Sequence, residues 1–171
     1  MDTSVKLYSL SFRQTKTYLV AAALIAGNIV LPAVCHLIPQ GGLIFLPIYF
    51  FTLFGACKYG IKAGLLIGIL SPLINHLLTG MPPAPMLPAI LIKSCLIVFA
   101  SVFAVRKFGK LTIPVLIGIV LGYQIVGGLF EWLLTGSLFA ALQNFRLALP
   151  GMLLQVLGVY GLVKLMAKFG Y

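Results

Sequence analysis

Long apolar runs separated by short breaks rich in glycine and proline make up almost the whole sequence. A helix needs about 20 mostly apolar residues to cross a bilayer. Runs suited to that role cover residues 17–38, 43–57, 61–78, 84–105, 112–134 and 148–167. The second run is shorter than the others, so we expect it to tilt little or to end early. The pattern predicts an all-α bundle of six transmembrane helices in a single domain over residues 1–171.

The composition excludes a soluble fold. The chain is 61% hydrophobic and 8% charged, whereas a soluble domain carries about 25% charged residues. Soluble enzymes, nucleic-acid-binding proteins and disulfide-stabilised secreted proteins are therefore excluded, and no nucleic acid is expected as a partner. The net charge of +10 comes from 12 basic and 2 acidic residues. In a chain embedded in lipid, such a balance indicates membrane topology and contact with anionic lipid.

The basic residues collect in alternate connections between the runs. Arg146 is the exception in the remaining connections, and Lys93 lies inside a run. Because positively charged connections stay in the cytoplasm, both termini are expected there, in a multi-pass protein of the cytoplasmic membrane. The residues predicted to lie on the cytoplasmic side are Lys6, Arg13, Lys16, Lys58, Lys62, Arg106, Lys107, Lys110, Lys164 and Lys168.

Polar residues inside the runs collect in the half of the bundle that this topology places outside. An ionisable group in a span is costly and by default marks a functional site or a structural pair. Lys93 and Gln124 lie at similar depths of roughly 13 and 15 Å, and Gln124 shares one helix face with Glu131. We therefore expect an outer substrate pocket between the fourth, fifth and sixth spans. Its candidate residues are His36, Asn75, His76, Lys93, Gln124, Glu131, Trp132 and Arg146.

The expected pocket has a floor of Lys93 and Gln124 and a wall of Glu131 and Trp132. Asn75, His76 and Arg146 form its rim. Several of these residues also have a structural interpretation. Lys93 could pair with Glu131 instead of with substrate, Trp132 could belong to an interfacial aromatic belt, and Arg146 could hold lipid phosphates.

Two histidines, His36 and His76, lie near the outer ends of their runs, where their polar tips could simply reach water. Without a carboxylate or thiolate at ligand spacing they make no metal site. The acidic residues, Asp2 and Glu131, are too few for paired-carboxylate catalysis. Neither a phosphate-binding GxxxxGK[ST] loop nor a GxSxG or HExxH motif occurs. We therefore expect no catalytic residue, no cofactor, no metal and no enzymatic activity.

The size and span pattern, together with an Ala22-x-x-x-Ala26 motif in the first run, resemble the substrate-binding S component of an energy-coupling factor transporter. A second similarity to this family is the series Leu46-Pro47-Ile48, Gly55, Gly60, Gly64, Gly68 and Pro72. Met1-Asp2-Thr3 lacks the amino-terminal histidine of the family's cobalt and nickel members.

The resemblance implies a role in uptake. The chain would capture a vitamin-like micronutrient from the outer side, beneath a gating loop formed by Pro39, Gln40, Gly41 and Gly42. Ala22 and Ala26 would contact a transmembrane coupling subunit, and two ATPase subunits would supply energy for transport.

Two functions from other classes remain open at this stage. One is a small membrane enzyme that acts on a lipid or an isoprenoid and uses His36, His76 and Glu131. The other is a small oligomeric channel or an autonomous facilitator.

Overall fold

The computed structural model describes residues 10–168, which form α-helices, one short 3₁₀ helix and their connections, with no strand in that range. The 3₁₀ helix Ala84–Met86 leads directly into α5. The α-helices are α1 Thr15–Cys35, α2 Gly41–Phe45, α3 Pro47–Tyr59, α4 Ile61–Thr79, α5 Leu87–Phe108, α6 Ile113–Thr135, α7 Leu138–Leu147 and α8 Leu149–Lys168.

Six helical segments of the described chain are long and apolar enough to cross a membrane. They are α1, the pair α2 and α3, α4, α5 with its preceding 3₁₀ turn, α6 and α8. Their mean hydropathy lies between 1.5 and 2.2. The prediction of an all-helical bundle of six spans is confirmed, and the chain is a multi-pass membrane protein.

Glycine and proline set the helix boundaries. Gly80, Gly109 and Gly136 follow the last residues of α4, α5 and α6, with φ between +64° and +70°. This left-handed conformation ends a helix at little cost only in glycine, which has no Cβ. Proline lies in the first turn of α3 and of α6, where its missing N–H leaves no helical bond unmade.

The second span differs from the prediction because it is broken. Leu46 separates α2 from α3 and has a left-handed φ of 48°. Proline at position 47 disfavours helical geometry in the residue before it, which explains the break at this point. The carbonyl oxygen of Leu46 accepts hydrogen bonds from the backbone N–H of Tyr49 at 3.2 Å and from Nε2 of Gln155 at 3.5 Å. The break is therefore stabilised inside the bundle.

The connection before the last span forms the amphipathic helix α7. Ser137 caps its first turn, since the Ser137 hydroxyl accepts a hydrogen bond from the N–H of Ala140 at 3.2 Å. Leu138, Phe139 and Leu142 of α7 are exposed apolar side chains. Short helices of this kind lie in the membrane interface with their apolar face toward the acyl chains.

The pair α2 and α3 lies at the centre of the bundle and α1 at its edge. About 67% of the second span is buried, compared with 22% of α1. Helix α3 packs against α1, α4, α5 and α8. Leu53 of α3 and Ile97 of α5 are completely buried in this core. The exposed apolar face of α1, which includes Leu19 and Val30, is not covered by any other described element.

The two ends of the bundle differ in charge. One end, here called the basic end, contains the starts of α1, α4 and α6 and the ends of α3, α5 and α8. It carries Arg13, Lys16, Lys58, Lys62, Arg106, Lys107, Lys110, Lys164 and Lys168. The opposite end, here called the α7 end, carries Arg146. Lys6 and both chain termini, which the topology prediction also concerns, lie outside the described residues.

Candidate functional site

A cavity of about 640 Å³ lies at the α7 end of the bundle. Its walls come from α1, the turn before α2, the starts of α2 and α3, the end of α4 and the connection between α4 and α5. Two other depressions lie on single surface elements, one along the last turns of α8 and one along α7. Because binding sites hold a ligand between convergent walls, the cavity at the α7 end is the candidate site.

Most of the cavity wall is apolar. Prolines from four different parts of the chain contribute to it, and Ile48, Met86 and Ile90 are among the other apolar lining residues. The polar lining residues are His36, Gln40, Asn75 and Thr79. No Asp, Glu, Lys or Arg belongs to the described lining.

A buried hydrogen-bond network centred on Asn28 supports the cavity from below. Nδ2 of Asn28 donates to the hydroxyls of Thr52 and Ser71, both at 3.1 Å. The backbone N–H of Phe51 donates to Oδ1 of Asn28 at 3.3 Å. Asn28, Thr52 and Ser71 are fully buried. The network joins α1, α3 and α4 and satisfies polar groups that would be costly if left unpaired in an apolar surrounding.

Asn75 connects this network to the cavity. Its Nδ2 donates to the backbone carbonyls of Asn28 at 2.8 Å and of Ser71 at 3.1 Å. These bonds use both amide hydrogens and fix the orientation of the side chain. Oδ1 of Asn75 accepts no hydrogen bond within the described chain, although the residue is only 3% exposed and lines the cavity. A nearly buried acceptor is therefore left available to a bound molecule.

His76 and Thr79 hold the connection that forms one wall of the cavity. Nδ1 of His76 donates to the carbonyl oxygen of Pro82 at 2.8 Å. The Thr79 hydroxyl donates to the carbonyl oxygen of Asn75 at 2.8 Å and accepts from the N–H of Met81 at 3.2 Å. His76 thus shapes the wall without lining the cavity, whereas His36 is a lining residue.

The predicted gating segment lies at the mouth of the cavity. Pro39, Gln40 and Gly42 line it. The expectation that all four residues form a loop is wrong for Gly41 and Gly42, which form the first turn of α2. Gly41 packs against the end of α1, where a Cβ would lie 2.0 Å from the carbonyl oxygen of Cys35. This close contact explains why the helix can begin so soon after α1 ends.

Lys93 and Glu131 form an ion pair, with 2.6 Å between Nζ and Oε2. Nδ2 of Asn144 donates to the other carboxylate oxygen, so the pair connects α5, α6 and α7. The stem of Lys93 packs on Gly127, where a Cβ would lie 2.4 Å from Cγ of Lys93. The structural alternative for Lys93 and Glu131, an internal pair, is the arrangement observed, and neither residue lines the cavity.

The other predicted pocket residues also lie away from the cavity. Gln124 is buried on α6, and its Nε2 has no hydrogen-bond partner within the described chain. Trp132 is 39% exposed near the end of α6. Arg146 is exposed on α7. The structure thus brings His36 and Asn75 to the cavity, with His76 behind its wall. The residues predicted to form the floor and the wall lie on α5 and α6, away from the cavity.

Ala22 and Ala26, the residues predicted to contact a partner, lie on the exposed face of α1. No described element packs over this face. Its small side chains would allow the backbone of another helix to approach closely.

The sequence interpretation missed two parts of the site. Thr79 follows Asn75 by one helical turn, a spacing that could have indicated a shared polar face. The segment Met81–Pro83 falls in a predicted break between spans, yet all three of its residues line the cavity. A proline-rich connection between two spans was the available signal.

Comparison with known proteins gives no match: no protein-family profile, curated protein or solved structure is similar to this chain.

Proposed function

We propose that the chain is the substrate-binding subunit of a micronutrient importer of the energy-coupling factor type. It would lie in the cytoplasmic membrane with its basic end and both termini in the cytoplasm. It would capture a vitamin-like molecule in the cavity at the α7 end, and a transmembrane coupling subunit and two ATPase subunits would drive uptake. The observation that carries the proposal is the cavity with its unpaired Asn75 acceptor, at the end of the bundle opposite the basic residues.

The packing below the cavity favours a role in binding substrate over a role in conducting it through the bundle. The Asn28 network closes the space between α1, α3 and α4. Leu53 and Ile67, both fully buried, lie in the same helices. A molecule bound at the α7 end would therefore need a large movement of the bundle to reach the basic end. This packing fits the role of a subunit that depends on partners better than it fits the role of a channel or facilitator.

The position of Glu131 disfavours the enzyme alternative. That function would require His36, His76 and Glu131 to act on one substrate. Glu131 is engaged by Lys93 and Asn144 between α5, α6 and α7, and His76 is bonded to Pro82. Only His36 of the three lines the cavity.

The proposal is tested by purifying the chain and identifying what it carries. We expect mass spectrometry of the extracted protein to find about one equivalent of a small, vitamin-like molecule. Co-expression with coupling and ATPase subunits should yield a complex that takes this molecule up in an ATP-dependent manner. Turnover of added lipid, or conductance by the chain alone in planar bilayers, would contradict the proposal.

A further inference from the structure

We infer that the cavity binds an uncharged molecule that donates a hydrogen bond to Oδ1 of Asn75 and buries a flat apolar body against the proline-rich walls. The inference rests on the proposed function for the role of the cavity as the substrate site. It adds the chemical class of the ligand.

The distribution of charged side chains disfavours a strongly ionic ligand. Its described lining contains no carboxylate, ammonium or guanidinium group. Lys93 and Glu131, the ionised residues inside the bundle at this depth, neutralise each other between α5 and α6. A carboxylate or phosphate that leaves water for the apolar walls of the cavity needs an opposite charge to offset its lost hydration. Apart from the exposed imidazole of His36, the lining has no side chain that could carry such a charge, so a neutral ligand is favoured.

The part of the cavity formed by Asn75 and Thr79 accepts hydrogen bonds. Both amide hydrogens of Asn75 are used, which leaves Oδ1 as its free group. The hydroxyl hydrogen of Thr79 is committed to the Asn75 carbonyl. A ligand that pairs with Asn75 must therefore bring the donor, such as an amide, a ring N–H or a hydroxyl. Without such a donor, a nearly buried acceptor stays unpaired in the complex, which is unfavourable.

The remaining walls suit a rigid apolar body. Pro32, Pro47, Pro82 and Pro83 line the cavity, and proline fixes its own φ, so these walls are pre-formed. The volume of about 640 Å³ lies within the usual range for small-molecule sites, roughly 300–1,000 Å³. The cavity therefore fits a molecule with one or two rings.

Three probes of nearly equal shape test this assignment: benzamide, benzoate and methyl benzoate. Only benzamide is both neutral and equipped with an amide donor. Ligand-observed NMR titration of the full chain in detergent, with detergent alone as the blank, gives each dissociation constant. Methyl benzoate should bind about fivefold more weakly than benzamide, because a hydrogen bond worth ~1 kcal/mol is lost at 1.4 kcal/mol per decade. Benzoate should bind most weakly of the three.

A matched pair of variants places the binding in the cavity. Ala33 lines the cavity on α1, whereas Ala23 lies on the same helix away from it and is exposed. Ala33→Trp should fill part of the volume and weaken benzamide binding at least tenfold. Ala23→Trp should change it less than twofold, and it controls for the tolerance of α1 to a large side chain.

Three outcomes would overturn the ligand class: benzoate binding as tightly as benzamide, equal binding of benzamide and its ester, or no binding of any probe. Equal effects of Ala33→Trp and Ala23→Trp would overturn the location. If the assignment fails while the purified chain still carries a micronutrient, the proposed function stands and only the ligand class is wrong. If benzamide binds as expected but no coupling partner or uptake is found, the site stands and the proposed function fails.

Discussion

The ion pair between Lys93 and Glu131 connects helices of the bundle and lies outside the cavity. Both side chains are largely buried, with 12% and 13% exposed. Asn144 supplies a further donor to the carboxylate, so each charge is compensated. Because the pair lies outside the cavity, its loss should affect the stability of the contact between α5, α6 and α7 more than ligand binding.

Glu131→Gln tests this assignment at the residue scale. The change keeps the shape of the side chain but leaves Lys93 without its counter-charge, which should cost roughly 1–3 kcal/mol of stability. Thermal unfolding in detergent should show a lower midpoint, whereas the affinity of the folded protein for benzamide should stay within twofold. The double variant Lys93→Met with Glu131→Gln is the control. It removes the unpaired charge and should recover part of the lost stability. A fall in benzamide affinity without a change in the midpoint would show that Glu131 contacts ligand.

At the scale of helices, α1 has the least buried surface of the six spans. Its exposed face carries Ala22 and Ala26 one helical turn apart. Lipid can cover such a face, but small side chains offer the close backbone contact that a second helix would use. The face therefore suits the proposed coupling subunit.

The double variant Ala22→Trp with Ala26→Trp should abolish co-purification with the coupling subunit and leave benzamide binding unchanged. Two large side chains would hold a partner helix away while projecting only into lipid in the isolated chain. Leu121→Trp with Ile125→Trp on α6 is the matched control, since these residues have the same spacing and are also exposed. If the complex survives the α1 variant, the docking face is wrong. If benzamide binding is lost as well, α1 supports the fold instead.

Elements were more predictable than contacts in this chain. The six spans follow from apolar runs, because each helix must cross the same thickness of lipid. The break before Pro47 carried a local signal, since a residue preceding proline avoids helical geometry. The partners of the polar residues depend on how each helix is rotated in the bundle. Asn75 faces α1 while Glu131 faces α5 and α7, and periodicity along one helix does not determine which neighbour it meets.

For the whole molecule, the separation of charge along the bundle axis is the main determinant of the proposed orientation. The basic end carries nine of the described Lys and Arg residues. Positively charged segments resist translocation across the membrane. The cavity would therefore face the outside, where a scarce nutrient has to be captured.

Cysteine labelling in intact cells tests this orientation. Gln40→Cys and Lys107→Cys are each introduced after the natural cysteines Cys35, Cys57 and Cys95 have been replaced by alanine. A membrane-impermeant maleimide should label position 40 directly and position 107 only after permeabilisation. The alanine background without either new cysteine controls for non-specific labelling. Equal labelling of both positions from outside, or labelling in the reverse order, would contradict the topology.

The broken second span also has a consequence for biogenesis. Helix α3 has 13 residues and at 1.5 Å per residue covers about 20 Å, less than the roughly 30 Å of hydrocarbon. Even with α2, this span has one of the lowest hydropathies of the six and the largest buried share. The low hydropathy of this span would then not be sufficient for the translocation machinery to insert it into lipid. Its integration would depend on α1 and α4, which contact it directly, and on Asn28 of α1, which bonds to the Thr52 hydroxyl and the Phe51 N–H.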